Sequence, residues 1–161
     1  MKRFIITILF LLTPYIISAA DFHRVVGGRS AALGRTSVAE KSVWSVHNNP
    51  AGIALLQHWH FGIYYENQWL LKETAYKSGS VAAAVRGMGC FGLTINQFGG
   101  SQYNESSFGL AYARDFGPYL QMGIRIDYQL LHFGEGYPNR DAFGFALGIQ
   151  SQVTEKLRVG S

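Results

Sequence analysis

Hydrophobic and polar side chains alternate most clearly between Tyr119 and Phe133. Leu120, Met122, Ile124, Ile126, Tyr128 and Leu130 are separated there by Gln121, Gly123, Arg125, Asp127 and Gln129. A period of two puts the first set on one face of a β-strand and the second on the other, whereas a helix would scatter both around its circumference. The run is also long. Soluble strands usually stop near about five or six residues, while a tilted strand that crosses a bilayer needs roughly 9–11. A soluble sheet with one wet face gives the same alternation, so the rest of the chain has to separate the two.

The same pattern predicts further strands. His58 to Asn67 sets Trp59, Phe61, Ile63 and Tyr65 against His58, His60, Tyr64 and Glu66. Cys90 to Phe98 sets Phe91, Leu93 and Ile95 against Gly92, Thr94 and Asn96, and Ser107 to Phe116 sets Phe108, Leu110 and Tyr112 against Gly109, Ala111 and Ala113. Ala142 to Ser151 sets Phe143, Phe145, Leu147 and Ile149 against Gly144, Ala146, Gly148 and Gln150. Lys72 to Arg86 is a polar, then alanine-rich strand of ambiguous facing, and Leu157 to Ser161 opens another. The large residues occupy one face while the other is small, glycine-rich or polar with few charges. A soluble sandwich would carry many charges on its wet face, so this balance favours a membrane barrel with an apolar outside.

Short links at Gly87 to Gly89, Gly117-Pro118 and Thr154 to Lys156 alternate with longer ones at Gly99 to Ser106 and Gly134 to Asp141. Barrels have short periplasmic turns and longer outside loops, so this order predicts a periplasmic N-terminus. Asn67 to Leu71 is shorter than that scheme expects. A single-chain barrel has an even number of strands and at least about 8, so six strands and the start of a seventh predict an incomplete barrel.

Composition agrees with export. The chain has 161 residues, 48% of them hydrophobic and 15% charged. Lys2 and Arg3 precede the apolar run Phe4 to Ile17, and Ser18-Ala19-Ala20 offers a small-residue cleavage site, which together predict a signal peptide over residues 1–20. Its removal takes the formal charge from +4 to +2, and no basic run with interleaved aromatics suggests a nucleic-acid partner. Cys90 is the sole cysteine, so no internal disulfide holds the domain.

Residues 21–57 lack alternation. They carry Gly27, Gly28 and Gly34, a possible short helix over Val38 to Val46, and then Asn48-Asn49-Pro50-Ala51-Gly52. The stretch Gly27 to Glu40, followed by Val43 to Leu56, resembles the N-terminal signature of an outer-membrane barrel superfamily. Its members include the long-chain fatty-acid transporters and the PorV/PorQ-type barrels associated with type IX secretion in Bacteroidetes. The resemblance implies an all-β fold, an antiparallel transmembrane barrel meander with a plug-like N-terminal segment over residues 21–57 and strands over residues 58–161. It implies an outer-membrane location in contact with lipid. In the PorV/PorQ type the barrel serves as an anchor or accessory for exported proteins and secretion components; in the transporters it passes hydrophobic small molecules. Asn48, Asn49, Pro50, Ala51 and Gly52 would form the plug turn or gate.

The remaining chemistry is sparse. Gly87-Met88-Gly89-Cys90-Phe91-Gly92 matches a dinucleotide fingerprint but opens a strand rather than a helix, so it reads as a hairpin turn. His58 and His60 share a strand face without a third ligand, and they read as lumen-facing polar residues rather than a metal site. Arg125 and Asp127 read as lumen-facing too, close enough at i and i+2 to pair. His132, Ser106, Ser107 and Asp141 form no recognised triad spacing, so the expectation is a non-enzymatic protein without a cofactor.

Overall fold

A computed structural model describes residues 24–134, 137–154 and 156–161; the expected leader lies outside them. Seven strands follow in chain order: β1 (Trp59–Asn67), β2 (Ala75–Val85), β3 (Gly89–Gly99), β4 (Tyr103–Asp115), β5 (Leu120–Phe133), β6 (Arg140–Gln152) and β7 (Arg158–Gly160). Each pairs antiparallel with its neighbour, giving one meander curled into a half-barrel. Among the described residues no helix is long and apolar enough to cross a membrane.

Exposure alternates along the strands as the sequence pattern requires. On β5, Gln121, Gly123, Arg125 and Asp127 are buried while Leu120, Met122, Ile124 and Ile126 are exposed. The buried set lines the concave side. The large apolar residues cover the convex side, where Ile63 is 93%, Phe145 79% and Leu147 81% exposed. The ambiguous β2 turns Tyr76, Ser78, Ser80 and Ala82 inward, and hydropathy could not have decided this because alanines occur on both of its faces and its serines and glycine are small.

Strand ends differ from the pattern. β4 starts at Tyr103 rather than Ser107, so only residues 100–102 separate it from β3. The expected long link there is a tight turn, because backbone pairing from Gly99↔Asn104 onward continues where hydropathic contrast has faded. Residues 68–74 are in turn a longer connection than the sequence suggested, with a 3-10 turn at Lys72–Thr74. Alternation of link lengths is therefore weak. Of the fingerprint-like glycines, Gly87 lies in the β2–β3 hairpin turn and takes φ 81, a left-handed conformation suited to glycine, while Gly89 and Gly92 belong to β3.

Register arranges the inward residues in rows across the sheet. Ala84, Cys90, Ala113, Gly123 and Gly148 make one row, and Ala82, Gly92, Ala111, Arg125 and Ala146 the next. Beyond them lie Ser80, Thr94, Gly109, Asp127 and Gly144, then Ser78, Asn96, Ser107 and Gln129. The concave side thus passes from small to polar. Residues 24–57 pack over the small rows.

That segment holds two short helices, α1 (Gly28–Ala32) and α2 (Ser45–Asn48), and a 3-10 helix at Pro50–Leu55. Val43, Val46, Ile53 and Leu56 meet Ala82, Cys90, Ala111 and Ala113 in the apolar core. Fully burying a Val or Ile side chain contributes roughly 1.5–3 kcal/mol, so this contact is a main source of cohesion. The helix expected over Val38 to Val46 shrinks to α2. Backbone carbonyls that an earlier helix would need are taken by side chains instead. Val38 O accepts from Asn49 Nδ2 at 2.6 Å and Gln150 Nε2 at 2.7 Å, and Glu40 O from Ser45 Oγ at 2.9 Å.

Candidate functional site: the concave face and the segment seated on it

Asn49 is the hub of the expected plug turn. Only 3% exposed, it caps the 3-10 helix by accepting from the Ala51 N–H at 3.1 Å, with Pro50 at the first helical position. Its amide also reaches Ile149 O on β6 at 3.3 Å, which ties the turn to the sheet. Asn48 clamps the chain upstream, accepting from Val26 N at 2.9 Å and donating to Val26 O at 2.8 Å. A Cβ on Gly52 would stand 2.6 Å from Ser45 Oγ, so the last residue of the motif is glycine for close packing.

Glycines of the sheet make notches for this turn. A Cβ at Gly123 would lie 2.5 Å from Pro50 C and 2.6 Å from Ala51 N, and one at Gly62 would lie 2.7 Å from the Trp44 ring. Val46 fills the space over Gly92, where a Cβ would meet its Cγ2 at 2.6 Å. Real Cβ atoms do not come that close. Gly123 is thus a place where the backbone of the segment meets the sheet, and Gly62 and Gly92 are seats for its side chains.

Arg125 and Asp127 pair at 2.7 Å between Nε and Oδ2, with 6% and 5% exposure. The guanidinium also donates through Nη1 to the carbonyls of His47 and, at 3.3 Å, Val46. A strand cation therefore holds carbonyls of α2, and Asp127 supplies its countercharge. Among the described residues Asp127 Oδ1 has no hydrogen-bond partner, and it lies against Gly109, where a Cβ would sit 2.6 Å away.

A second polar cluster escaped sequence reasoning. Asn96 Oδ1 accepts from Ser78 Oγ at 2.6 Å, while Nδ2 donates to Ser107 Oγ at 3.0 Å and meets His47 Nδ1 at 3.3 Å. His47 Nε2 is 2.9 Å from Arg24 O, which can only accept, so the proton sits on Nε2 and Nδ1 takes the amide N–H. Asn96 and Ser107 are plain inward polar residues in sequence, while Ser78 sits on the strand of ambiguous facing. Only register makes the three neighbours, so the sole available signal was the shared facing of Asn96 and Ser107.

The histidines singled out earlier do not join this cluster. His58 is exposed just before β1, and His60 is half-buried on it. Among the described residues no group of three His, Cys, Asp or Glu side chains could hold a metal ion. Beside the turn lies a cavity of about 360 Å³, lined by His47, Asn48, Asn49, Asp127, Gln129 and Ala146 among others. Its wall is mixed, with Val38, Pro50, Phe145 and Leu147 beside the polar groups.

An antiparallel meander with an apolar convex face and a filled, polar concave face fits the β-barrel class. No protein-family model, curated protein or solved structure matches the chain.

Proposed function

We propose that this chain is an outer-membrane β-barrel protein of the PorV/PorQ type, acting as an anchor or accessory for protein secretion at the cell surface. The observation that carries the reading is the inversion of polarity across one sheet. Arg125, Asp127, Gln121 and Gln150 are buried on the concave side, while the convex side is uncovered Trp, Phe, Ile and Leu. Hydrocarbon is the solvent that such a convex face suits. The outward positions of β5 from Leu120 to Leu130 are all apolar; ten steps of about 3.4 Å give about 34 Å of strand. At a barrel tilt of about 40° that is about 26 Å of height, close to the roughly 25 Å band of outer-membrane barrels.

The seated N-terminal segment favours an anchor over an open pore, because its core side chains and hydrogen bonds occupy the small rows where a passage would run. The resemblance of residues 27–56 supplies the type IX secretion context. Expression of the full chain in a bacterium with that pathway provides the test. Recovery in the outer-membrane fraction, with exported proteins cross-linked to it and no lipid-like cargo in the extract, is the expected result. Bound fatty acids without a protein partner would favour the transporter reading, and recovery in the soluble fraction would remove both.

A further inference from the structure

One inward row differs from the rest. Glu66 pairs in register with Tyr76, Tyr76 with Phe98 and Phe98 with Glu105, so four adjacent strands present acid, aromatic, aromatic and acid side by side on the concave face. Arg24 of the N-terminal segment lies over it, its guanidinium carbon 3.7 Å from the Phe98 ring centroid and 6.0 Å from that of Tyr76. Aromatic faces carry negative potential and attract cations within about 6 Å, and flanking carboxylates deepen that potential. Arg24 is also held there by design of the backbone. Its carbonyl is bound by His47 and the next clamp, Asn48, grips Val26 from both sides.

We infer that the row Glu66–Tyr76–Phe98–Glu105 is a binding site for a guanidinium group, filled in cis by Arg24 and available to the arginine-like cation of another molecule when Arg24 leaves. Tyr76 is 5% exposed and Phe98 half-buried, so the aromatic floor is preformed on paired strands rather than on loops. Glu66 is partly engaged by Arg35 at 3.2 Å and by Tyr64 at 2.7 Å, which fixes its carboxylate beside the floor. A tethered cation competes at an effective concentration of about the millimolar range, so a free cation should bind weakly until the tether is removed. The site needs only the folded sheet, and it stands or falls independently of membrane insertion.

The test uses the full chain refolded in detergent micelles, with butylguanidine, whose guanidinium is its only charge, as the probe and butylurea as its neutral isostere. Calorimetric titration should show saturable butylguanidine binding to Arg24→Ala at least tenfold tighter than to the unaltered protein, and no binding of butylurea. Adding Phe98→Leu to Arg24→Ala should abolish that gain while keeping the apolar bulk. If Arg24→Ala refolds poorly, butylguanidine should restore its refolding yield and butylurea should not. A folded Arg24→Ala protein that ignores butylguanidine, equal binding to both proteins, insensitivity to Phe98→Leu, or a poorly folding variant that butylguanidine does not rescue would each overturn the inference.

Discussion

Adding one methyl group at Gly123 probes the seating of the N-terminal segment on the sheet. The new Cβ would stand 2.5–2.7 Å from the backbone of Pro50 and Ala51, whereas ordinary contact begins at 3.4 Å, so the 3-10 helix must retreat by about 1 Å. Overpacking of this kind costs about 1–3 kcal/mol, offset by about 0.5–1 kcal/mol because alanine loses less freedom than glycine in a strand. The expected net loss for Gly123→Ala is therefore about 0–2.5 kcal/mol, centred at about 1 kcal/mol. Gly79 on β2 is the control, since nothing lies within 4 Å of its Cβ position and Gly79→Ala keeps only the favourable part. Urea unfolding followed by tryptophan fluorescence should separate the two variants by about 1–3 kcal/mol. Trypsin should also cut Gly123→Ala faster at Arg29 and Lys41, which are exposed on the displaced segment. Equal stabilities and equal digestion patterns would refute the idea that the sheet is notched for this turn.

Asp127→Asn should cost about 3–5 kcal/mol in chemical unfolding, because Arg125 would keep a buried charge without its carboxylate; the long Arg29–Glu40 pair at 3.9 Å, whose arginine is exposed, should yield below about 1 kcal/mol. A double-mutant cycle on Arg125 and Asp127 without coupling would count against the pair. Asn49→Ala should lose about 1–2 kcal/mol through its cap and its bond to Ile149, read as a lower unfolding midpoint, and no change would show that the turn is merely adjacent to β6. Ile124→Arg should reduce assembly into vesicles by about 2–4 kcal/mol if that side chain meets mid-bilayer lipid, whereas full assembly would argue for an aqueous convex face.

Facing was legible wherever large apolar residues alternated with polar ones, as on β5 and β6, because the pattern carries both element type and side. It was illegible on β2, whose alanines, serines and glycine offer little contrast, and at the start of β4, where Tyr103 to Ser107 pair with both neighbours without an alternation of large apolar and polar residues. The pairing of Arg125 with Asp127 followed from their spacing. The attachment of Arg125 to the carbonyls of α2 did not, since it joins positions 79 and 78 residues apart. Gln121 and Gln150 fell on the polar or small face in sequence and are only 2% and 0% exposed, a depth the pattern could not give because it does not say which inward positions the N-terminal segment covers. The Glu66–Tyr76–Phe98–Glu105 row required register, which single-strand patterns cannot supply.

Lipid contact by the convex face is tested most directly by depth-resolved quenching. Single cysteines at Leu93, Ile124 and Phe145, and at the inward Ser107 and Gln129, are placed in a Cys90→Ser background, labelled with a small fluorophore and reconstituted in vesicles with brominated acyl chains. The account expects strong quenching at the three convex positions and little at the two concave ones. Absence of quenching at Leu93, Ile124 and Phe145, with rapid modification of those cysteines by a water-soluble maleimide, would contradict it.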